Sequence, residues 1–385
     1  RRLAPPTLEQ IRALPKVELH AHLSGSVRQE FLLDLMKERG LDCEASGLPF
    51  NVTDDMTATV EACWRYFSIV AQLVTDLGTL RRCALHVFET FADEGCVYLE
   101  LRTSPKQLQR SQEDPEVATK RDYIGTIVEA ARDFREGQRR MEIRLIVSID
   151  RGYITSLENA RETVKAVADL CAEFPEDIVG IDICGNPQKL TLEPSLLPAL
   201  LEFAKADPDF FRRFPITCHT AETPEQESEN DMILRSLEPL CIRRLGHVNF
   251  LTERQRQAVF AHAEAGAIGV ELCPTSNMVL KKDINMSNHH FPLWYRRRSA
   301  TCDGVNGGAD TNGAAGKGGV LVSINSDDTG LFSTTLSDEL LLAAKAFGLT
   351  LDDMRQLQED AVASSFCRER EALERLLRSP ANGGC

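Results

Sequence analysis

The chain has 385 residues, with 44 Lys and Arg against 58 Asp and Glu, a net charge of −14 at neutral pH. That acidic balance excludes a general nucleic-acid binder, which needs a broad basic footprint, and no apolar run approaches the roughly 18 residues of a membrane span. Hydrophobic residues make up 43% and charged residues 26%, the proportions of a soluble globular protein with enough chain to bury a core unaided by disulfides.

The opening stretch, RRLAPPTLEQIRALP, has two arginines and no apolar core behind them. It reads as no signal peptide and points to the cytoplasm. The first strand-like run is Val17–Leu23. The 72 residues from 24 to 95 exceed one crossover helix. Within them Thr57–Leu77 has helical spacing and carries Trp64, Tyr66 and Phe67, which predicts a helical cap beside a barrel mouth. Thr79–Glu94 follows with a stripe of Leu80, Cys83, Ala84, Val87, Phe88 and Phe91. Further strand runs are Cys96–Thr103, Ile143–Asp150, Ile178–Cys184, Ile216–Thr220, Arg244–Phe250, Ile268–Cys273 and Val320–Ser326. A second clear helix, Leu157–Phe174, presents Ala160, Val164, Val167, Ala168 and Cys171 on one face. Most strand runs are continuously apolar, as expected for strands covered on both faces. Residues 302–319 hold 7 of the 24 glycines and predict a flexible surface loop, and 379–385 a frayed tail.

Eight strands alternating with helices predict a single α/β domain over residues 1–385, a (β/α)8 TIM barrel. An open doubly wound sheet is the rival, but the Gly-rich GxGxxG turn follows none of the strands. The 12 cysteines form no CxxC pair and several sit in apolar runs, which predicts reduced, structural thiols.

Chemistry gathers at the strand ends. His20 and His22 in VELHAHL lie two apart on one strand, so both imidazoles face the same way and can reach one ion. His219 and Glu222 end ITCHTAE, Gly246-His247 end RRLGH, and Asp327-Asp328 follow VSINS. Active sites of this fold lie at the C-terminal strand ends, and histidine or carboxylate at four of them is hard to attribute to chance. Three imidazoles and a carboxylate suit zinc with an open position for water. Glu222 and His247 can then handle protons and Asp328 can bind substrate. His289 and His290 are further candidates for the mouth. The HExxH motif and the zinc signature of cytidine-type deaminases are absent.

HAHL, HTAE, LGH and SDD, in that order, resemble the adenosine/AMP deaminase family over nearly the whole chain. The resemblance implies one zinc ion per chain, held by His20, His22, His219 and Asp327. It implies that Glu222 protonates purine N1, that His247 orients and deprotonates the attacking water, that Asp328 contacts N7, and that the Gly185 backbone approaches N3. Trp64 and Phe67 become candidates for an apolar lid over the purine. Typical members carry an aspartate two residues past HxH for the ribose 5′-hydroxyl, where this chain has Ser24. A carboxylate there repels a 5′-phosphate, whereas a hydroxyl donates to one. Ser24, YLELRTSP at 98–105 and NHHFPLWY at 288–295 are most similar to the adenosine deaminase-like branch, which implies hydrolysis of N6-methyl-AMP to IMP and methylamine. Ser24 and Ser26, with Arg102 or Lys106, are then the expected phosphate contacts. Val248 and Asn186 stand where the family usually has glycine and aspartate. A monomer acting on a small purine nucleotide, with no nucleic-acid or membrane partner, is the expectation. Adenosine deaminase proper and a catalytically silent nucleoside- or protein-binding barrel are the alternatives.

Overall fold

The computed structural model describes residues 5–49, 59–137, 141–280, 284–297 and 319–378, apart from the side chains at 59–61, 193 and 280. Eight strands run in one sheet: β1 (Lys16–His22), β2 (Cys96–Thr103), β3 (Glu142–Asp150), β4 (Ile178–Cys184), β5 (Ile216–Thr220), β6 (Ile242–His247), β7 (Ile268–Leu272) and β8 (Val320–Ile324). They lie in sequence order, each parallel to the next. The seam between β8 and β1 closes just beyond β8. There Asp327 N donates to His20 O at 2.8 Å, and His22 N donates to Asp327 O at 3.1 Å. The molecule is the (β/α)8 barrel the alternation predicts.

Helices cover the outer wall by burying the stripes read from the sequence. In the helix Leu77–Asp93 the residues Leu80, Cys83, Ala84, Val87, Phe88 and Phe91 are buried, and the Asp76 carboxylate caps its start by accepting from Thr79 N at 2.8 Å. The helix Leu157–Glu173 buries Ala160, Val164, Val167, Ala168 and Cys171 against β3 and β4. Removing these faces from water is the main stabilising contribution to such a wall.

Three expectations need adjusting. The helical run Thr57–Leu77 is described as Thr59–Leu73, and Leu77 already belongs to the next helix, because Asp76 opens a new cap. β6 stops at His247 instead of reaching Phe250, since His247 and Val248 take φ of 63° and 51° and leave extended backbone. The barrel interior is charged where the runs looked apolar. Glu18, Glu100, Arg102, Asp182, Arg244 and Glu271 are fully buried, and most of the ion pairs among them cross between strands that are not neighbours. Arg244 Nη2 pairs with Glu100 at 2.6 Å and its Nε with Glu271 at 2.6 Å. Glu271 in turn pairs with Arg102, which reaches Asp182 at 3.1 Å. Against the penalty of burial, Arg102 and Arg244 hold the Glu271 carboxyl well below the usual range.

The loop expected at 302–319 lies outside the described residues except for Gly319, as does the tail at 379–385. The ten described cysteines are free and mostly buried. Among the described residues no helix is long and apolar enough to cross a membrane.

Candidate active site

β1, β5 and the segment after β8 deliver four side chains to one point. His20 Nε2 lies 3.2 Å from His219 Nε2, and His22 Nε2 lies 3.1 Å from it. Asp327 Oδ1 is 3.4 Å from His20 Nε2 and 3.5 Å from His22 Nε2. Bonds of about 2.0–2.1 Å to a tetrahedral cation would set ligand atoms about 3.3 Å apart, and these four of the six separations match that spacing. The other ring nitrogens are already fixed. His20 Nδ1–H donates to Glu271 Oε2 at 2.8 Å, and His219 Nδ1–H to Asp182 Oδ1 at 3.0 Å and Ile183 O at 3.1 Å. A carboxylate on Nδ1 leaves the Nε2 lone pair aimed inward, the arrangement by which protein metal sites orient their histidines. Burial pushes the His22 imidazole down to about 3, which keeps its lone pair free as well.

Ligand-capable atoms of His247 and Asp182 also fall within 4.8 Å of parts of this group. Asp182 is spent on His219, Arg102 and Ser148. His247 Nε2 stands off at 4.0 Å from Asp327 Oδ2. His20, His22, His219 and Asp327 are therefore the candidate ligands for a cation here, with His247 close beside them. The charged barrel interior supports the four from below, since Arg102, Glu271 and Asp182 connect directly to two of the histidines. Glu18 adds a brace by accepting from Ser326 N at 3.0 Å and Ser326 Oγ at 2.6 Å, which ties the residue before Asp327 to β1.

The point opens into a cavity of about 490 Å³ whose lining includes His22, Ser24, Trp64, Phe67, Lys106, Asp150, Gly185, Glu222, His247 and Asp328. That volume suits a small ligand. A larger hollow of about 680 Å³ on the outer wall, around Phe203 and Phe210, contains no histidine. Inside the site cavity Glu222 Oε2, His247 Nε2 and Asp328 Oδ1 are all buried with no hydrogen-bond partner among the described residues. Buried polar atoms are nearly always paired, so three such atoms on one cavity mark where a ligand completes the set. Burial raises the Glu222 carboxyl, and burial with the neighbouring Asp327 charge raises Asp328 well above the usual range. Both are therefore equipped to carry a proton.

The backbone here is strained in a way that aims these groups. Ala221, His247, Val248 and Asp327 have φ of 54°, 63°, 51° and 60°, a region costing non-glycine residues about 1–3 kcal/mol each. Val248 is one of the two departures from the family pattern, and the positive φ explains why glycine is usual there. Ala221 is held by Asn230 Oδ1, which accepts its N–H at 3.0 Å, and Glu222 N–H by Gln226 Oε1 at 2.8 Å.

A relay missed in the sequence fixes the His247 tautomer. Phe291 N–H donates to His289 Nδ1 at 3.0 Å, so a neutral His289 carries its proton on Nε2 and donates to Asn277 Oδ1 at 3.2 Å. The Asn277 amide then donates to His247 Nδ1 at 3.2 Å, and the His247 proton sits on Nε2, facing the cavity. The backbone donor sets the direction of the whole chain.

Of the expected substrate contacts, Ser24, Arg102, Lys106, Trp64, Phe67, Gly185 and Asp328 line the cavity. Trp64 is 56% exposed at the rim. Arg102 reaches the lining, but it is fully buried and its terminal nitrogens are already held by Asp182, Glu271 and Leu19 O, which leaves them spoken for before a phosphate arrives. Ser26 is also fully buried and lies off the lining, in the turn where its N–H donates to His22 O at 2.9 Å. His289 and His290 serve the relay and its flank instead of the mouth: His290 Nε2 bonds Asn249 Oδ1 at 2.6 Å. Glu271, Asp182 and Asn277 had no motif to betray them; for Glu271, a charged residue inside the apolar run IGVEL was the available signal.

The chain is similar to known proteins along most of its length. A family model described as adenosine deaminase matches residues 15–300 and 316–378. An N6-methyl-AMP deaminase of Danio rerio is 30% identical over 93% of this chain and 92% of its own length. An N6-mAMP deaminase of Arabidopsis thaliana is 30% identical over 94% and 95%. The apo structure of an N6-methyl-AMP deaminase from Arabidopsis thaliana superposes with a TM-score of 0.74, covering 96% of this chain and 98% of that one at 30% identity. An Arabidopsis ADAL structure complexed with IMP gives the same score and identity over 96% and 97%.

Proposed function

We propose a reaction from one premise: this chain belongs to the adenosine deaminase family. The reaction is the hydrolysis of N6-methyl-AMP to IMP and methylamine, with water supplying the oxygen at C6. The carrying observation is the set His20, His22, His219 and Asp327 converging beneath the unpartnered atoms of Glu222, His247 and Asp328. Three imidazoles and a carboxylate with orienting carboxylates behind them fit zinc, one ion per chain, and what that ion brings when bound is the acidification of water to a pKa of about 7.

The chain's own groups divide the remaining work. Glu222, its carboxyl raised by burial, holds the proton that purine N1 takes up as C6 becomes electrophilic. His247 orients the attacking water. The relay leaves it a donor at Nε2, which fits orienting the water. Glu222, ionised once its proton is on N1, then takes a proton from the water. The remaining hydroxyl proton passes to the methylamine as the C6–N bond breaks. Asp328, raised well above the ordinary carboxyl range, is protonated and donates to N7. The Gly185 backbone meets the N3 edge, Trp64 and Phe67 cover the apolar face, and Ser24 with Lys106 receives the 5′-phosphate. Lys106 has no ion-pair partner among the described residues, which leaves its ammonium for an anionic ligand. The free cysteines fit a cytoplasmic protein, which we take to be monomeric.

The test is amine release from AMP, N6-methyl-AMP, adenosine and N6-methyladenosine, measured on protein of known metal content. Turnover should be greatest with N6-methyl-AMP. Adenosine as the faster substrate would overturn the nucleotide reading and leave the hydrolytic site standing. Glu222→Gln should keep its metal and lose about 10²–10⁴-fold in rate. A silent binding barrel would have no turnover to lose.

A further inference from the structure

The cavity that receives the phosphate also carries a carboxylate the reaction does not use. Asp150 ends β3 and lines the cavity beside Gly185. One of its oxygens is occupied: Oδ1 accepts from Gly152 N–H at 2.7 Å. Its other oxygen has no hydrogen-bond partner among the described residues, and neither Lys106 nor Lys189 pairs with it, although both line the same cavity. Lys189 donates to Gly152 O at 3.3 Å.

The position beside Gly185 is built for this carboxylate. Gly185 has φ of 100°, and a Cβ there would stand 1.9 Å from Asp150 Oδ1. The missing side chain admits the carboxylate to the same edge of the cavity as the Gly185 backbone. That backbone faces purine N3, the edge from which the ribose 2′-hydroxyl projects. A carboxylate can only accept, and beside a phosphate dianion it repels. Away from N6, the donors a purine nucleoside monophosphate offers are its ribose hydroxyls, and the 2′-hydroxyl is the one nearest N3.

We propose that Asp150 accepts a hydrogen bond from the ribose 2′-hydroxyl and makes the chain select ribonucleotides over 2′-deoxyribonucleotides, an inference that rests on the nucleotide reading of the site given above. An acceptor facing the cavity that the deoxy compound leaves without its partner is what makes such sites discriminate. The role is one of specificity: Asp150 touches the sugar and no reacting atom.

The experiment compares N6-methyl-AMP with its 2′-deoxy counterpart on the wild type, Asp150→Asn and Asp150→Ala. The wild type should favour the ribonucleotide by about tenfold or more in kcat/KM, as expected for one bond to a charged group. Both variants should bring the ratio to within about threefold of unity, the loss falling on the ribonucleotide. An unchanged ratio in either folded variant overturns the inference, and Asp150→Asn, which keeps the shape and the Gly152 contact, guards against a misfolded alanine variant. Calorimetry with IMP and 2′-deoxy-IMP makes the same comparison without turnover. A wild type that binds IMP the more tightly but deaminates nothing refutes the reaction and upholds the sugar contact. Equal affinities refute the contact whether or not the reaction stands, and a chain that binds neither refutes both.

Discussion

Ser24 is where a change of one side chain should redirect substrate choice. It lies two residues past His22 on the cavity wall, and the turn carrying it is pinned by the Tyr66 hydroxyl, which donates to Val27 O at 2.5 Å and lies 3.1 Å from Ser24 O. An aspartate there would face the phosphate across roughly 6 Å, worth about 3 kcal/mol of repulsion per unit charge at an effective dielectric constant of ~20. Ser24→Asp should therefore cut kcat/KM for N6-methyl-AMP by about a hundredfold, with a much smaller loss on N6-methyladenosine. Equal losses on both would remove Ser24 from the phosphate site. The residues that touch the ion and the ring were legible in the sequence because their chemistry is local: two histidines in strand register, and acids or imidazoles just past strand ends. Arg102 was not. Its position relative to Glu100, two residues back on the same face of β2, allowed it to point inward, but only the partners Asp182 and Glu271, supplied by β4 and β7, show that the charge is consumed beneath the site. Sequence spacing gives the face of a side chain and says nothing about what a strand far along the chain will place opposite it.

The strand β6 shows how an element can serve the site through a side chain it lacks. Gly246 precedes His247, and a Cβ on it would lie 2.9 Å from His20 Cε1 and 3.3 Å from His20 Nδ1, with Glu271 Oε2 at 3.4 Å. The His20 ring and its orienting carboxylate occupy the space against bare β6 backbone. Gly246→Ala should push the ring off its Nδ1–H bond to Glu271, and loss of such an orienting contact typically lowers metal affinity about 10–100-fold. Competition with a chelator reads this directly: the variant should fold and release its metal at lower chelator concentration, and unaltered retention would show that β6 tolerates the methyl group. The strands themselves were read to within one or two residues except at this end of β6, where the backbone turns through positive φ at His247 and Val248. That conformation opposes the β propensity of valine, so the local pattern suggested a longer strand. The long segment after β1 was recognised as helical, and its helix Thr59–Leu73 supplies Trp64 and Phe67 to the cavity. The cap at Asp76, which separates it from the next helix, is the kind of detail a continuous apolar pattern hides.

Across the whole molecule, the interior charges fall into two kinds with opposite dependence on pH. Most are compensated: Glu100, Arg244, Glu271, Arg102 and Asp182 form one chain of ion pairs that joins the barrel floor to His20 and His219. Little in the sequence points to that chain, because its charges come from four different strands and only barrel closure assembles them. Glu339 is different. It is 1% exposed in the helix Leu336–Phe347, and its carboxyl accepts from Thr275 N at 2.9 Å and from the Thr334 hydroxyl at 2.7 Å. No described cation pairs with it, and burial raises its pKa from 4.5 to about 7. Between those two values the folded chain holds a proton that the unfolded chain releases. Stability contributed through this group is therefore full below about pH 4.5, is lost as pH rises toward about 7, and stays lost above. A displacement of that size corresponds to about 3 kcal/mol. Glu339→Gln removes the titration while keeping a hydrogen-bonding group in the same place. Urea unfolding at pH 5 and pH 8 gives the comparison, with every other titrating group common to both proteins. The wild type should lose about 2–3 kcal/mol more than the variant on going to the higher pH. A pH dependence that is the same in both would mean that Glu339 is ionised throughout, with its two hydrogen bonds sufficient to hold the charge inside the wall.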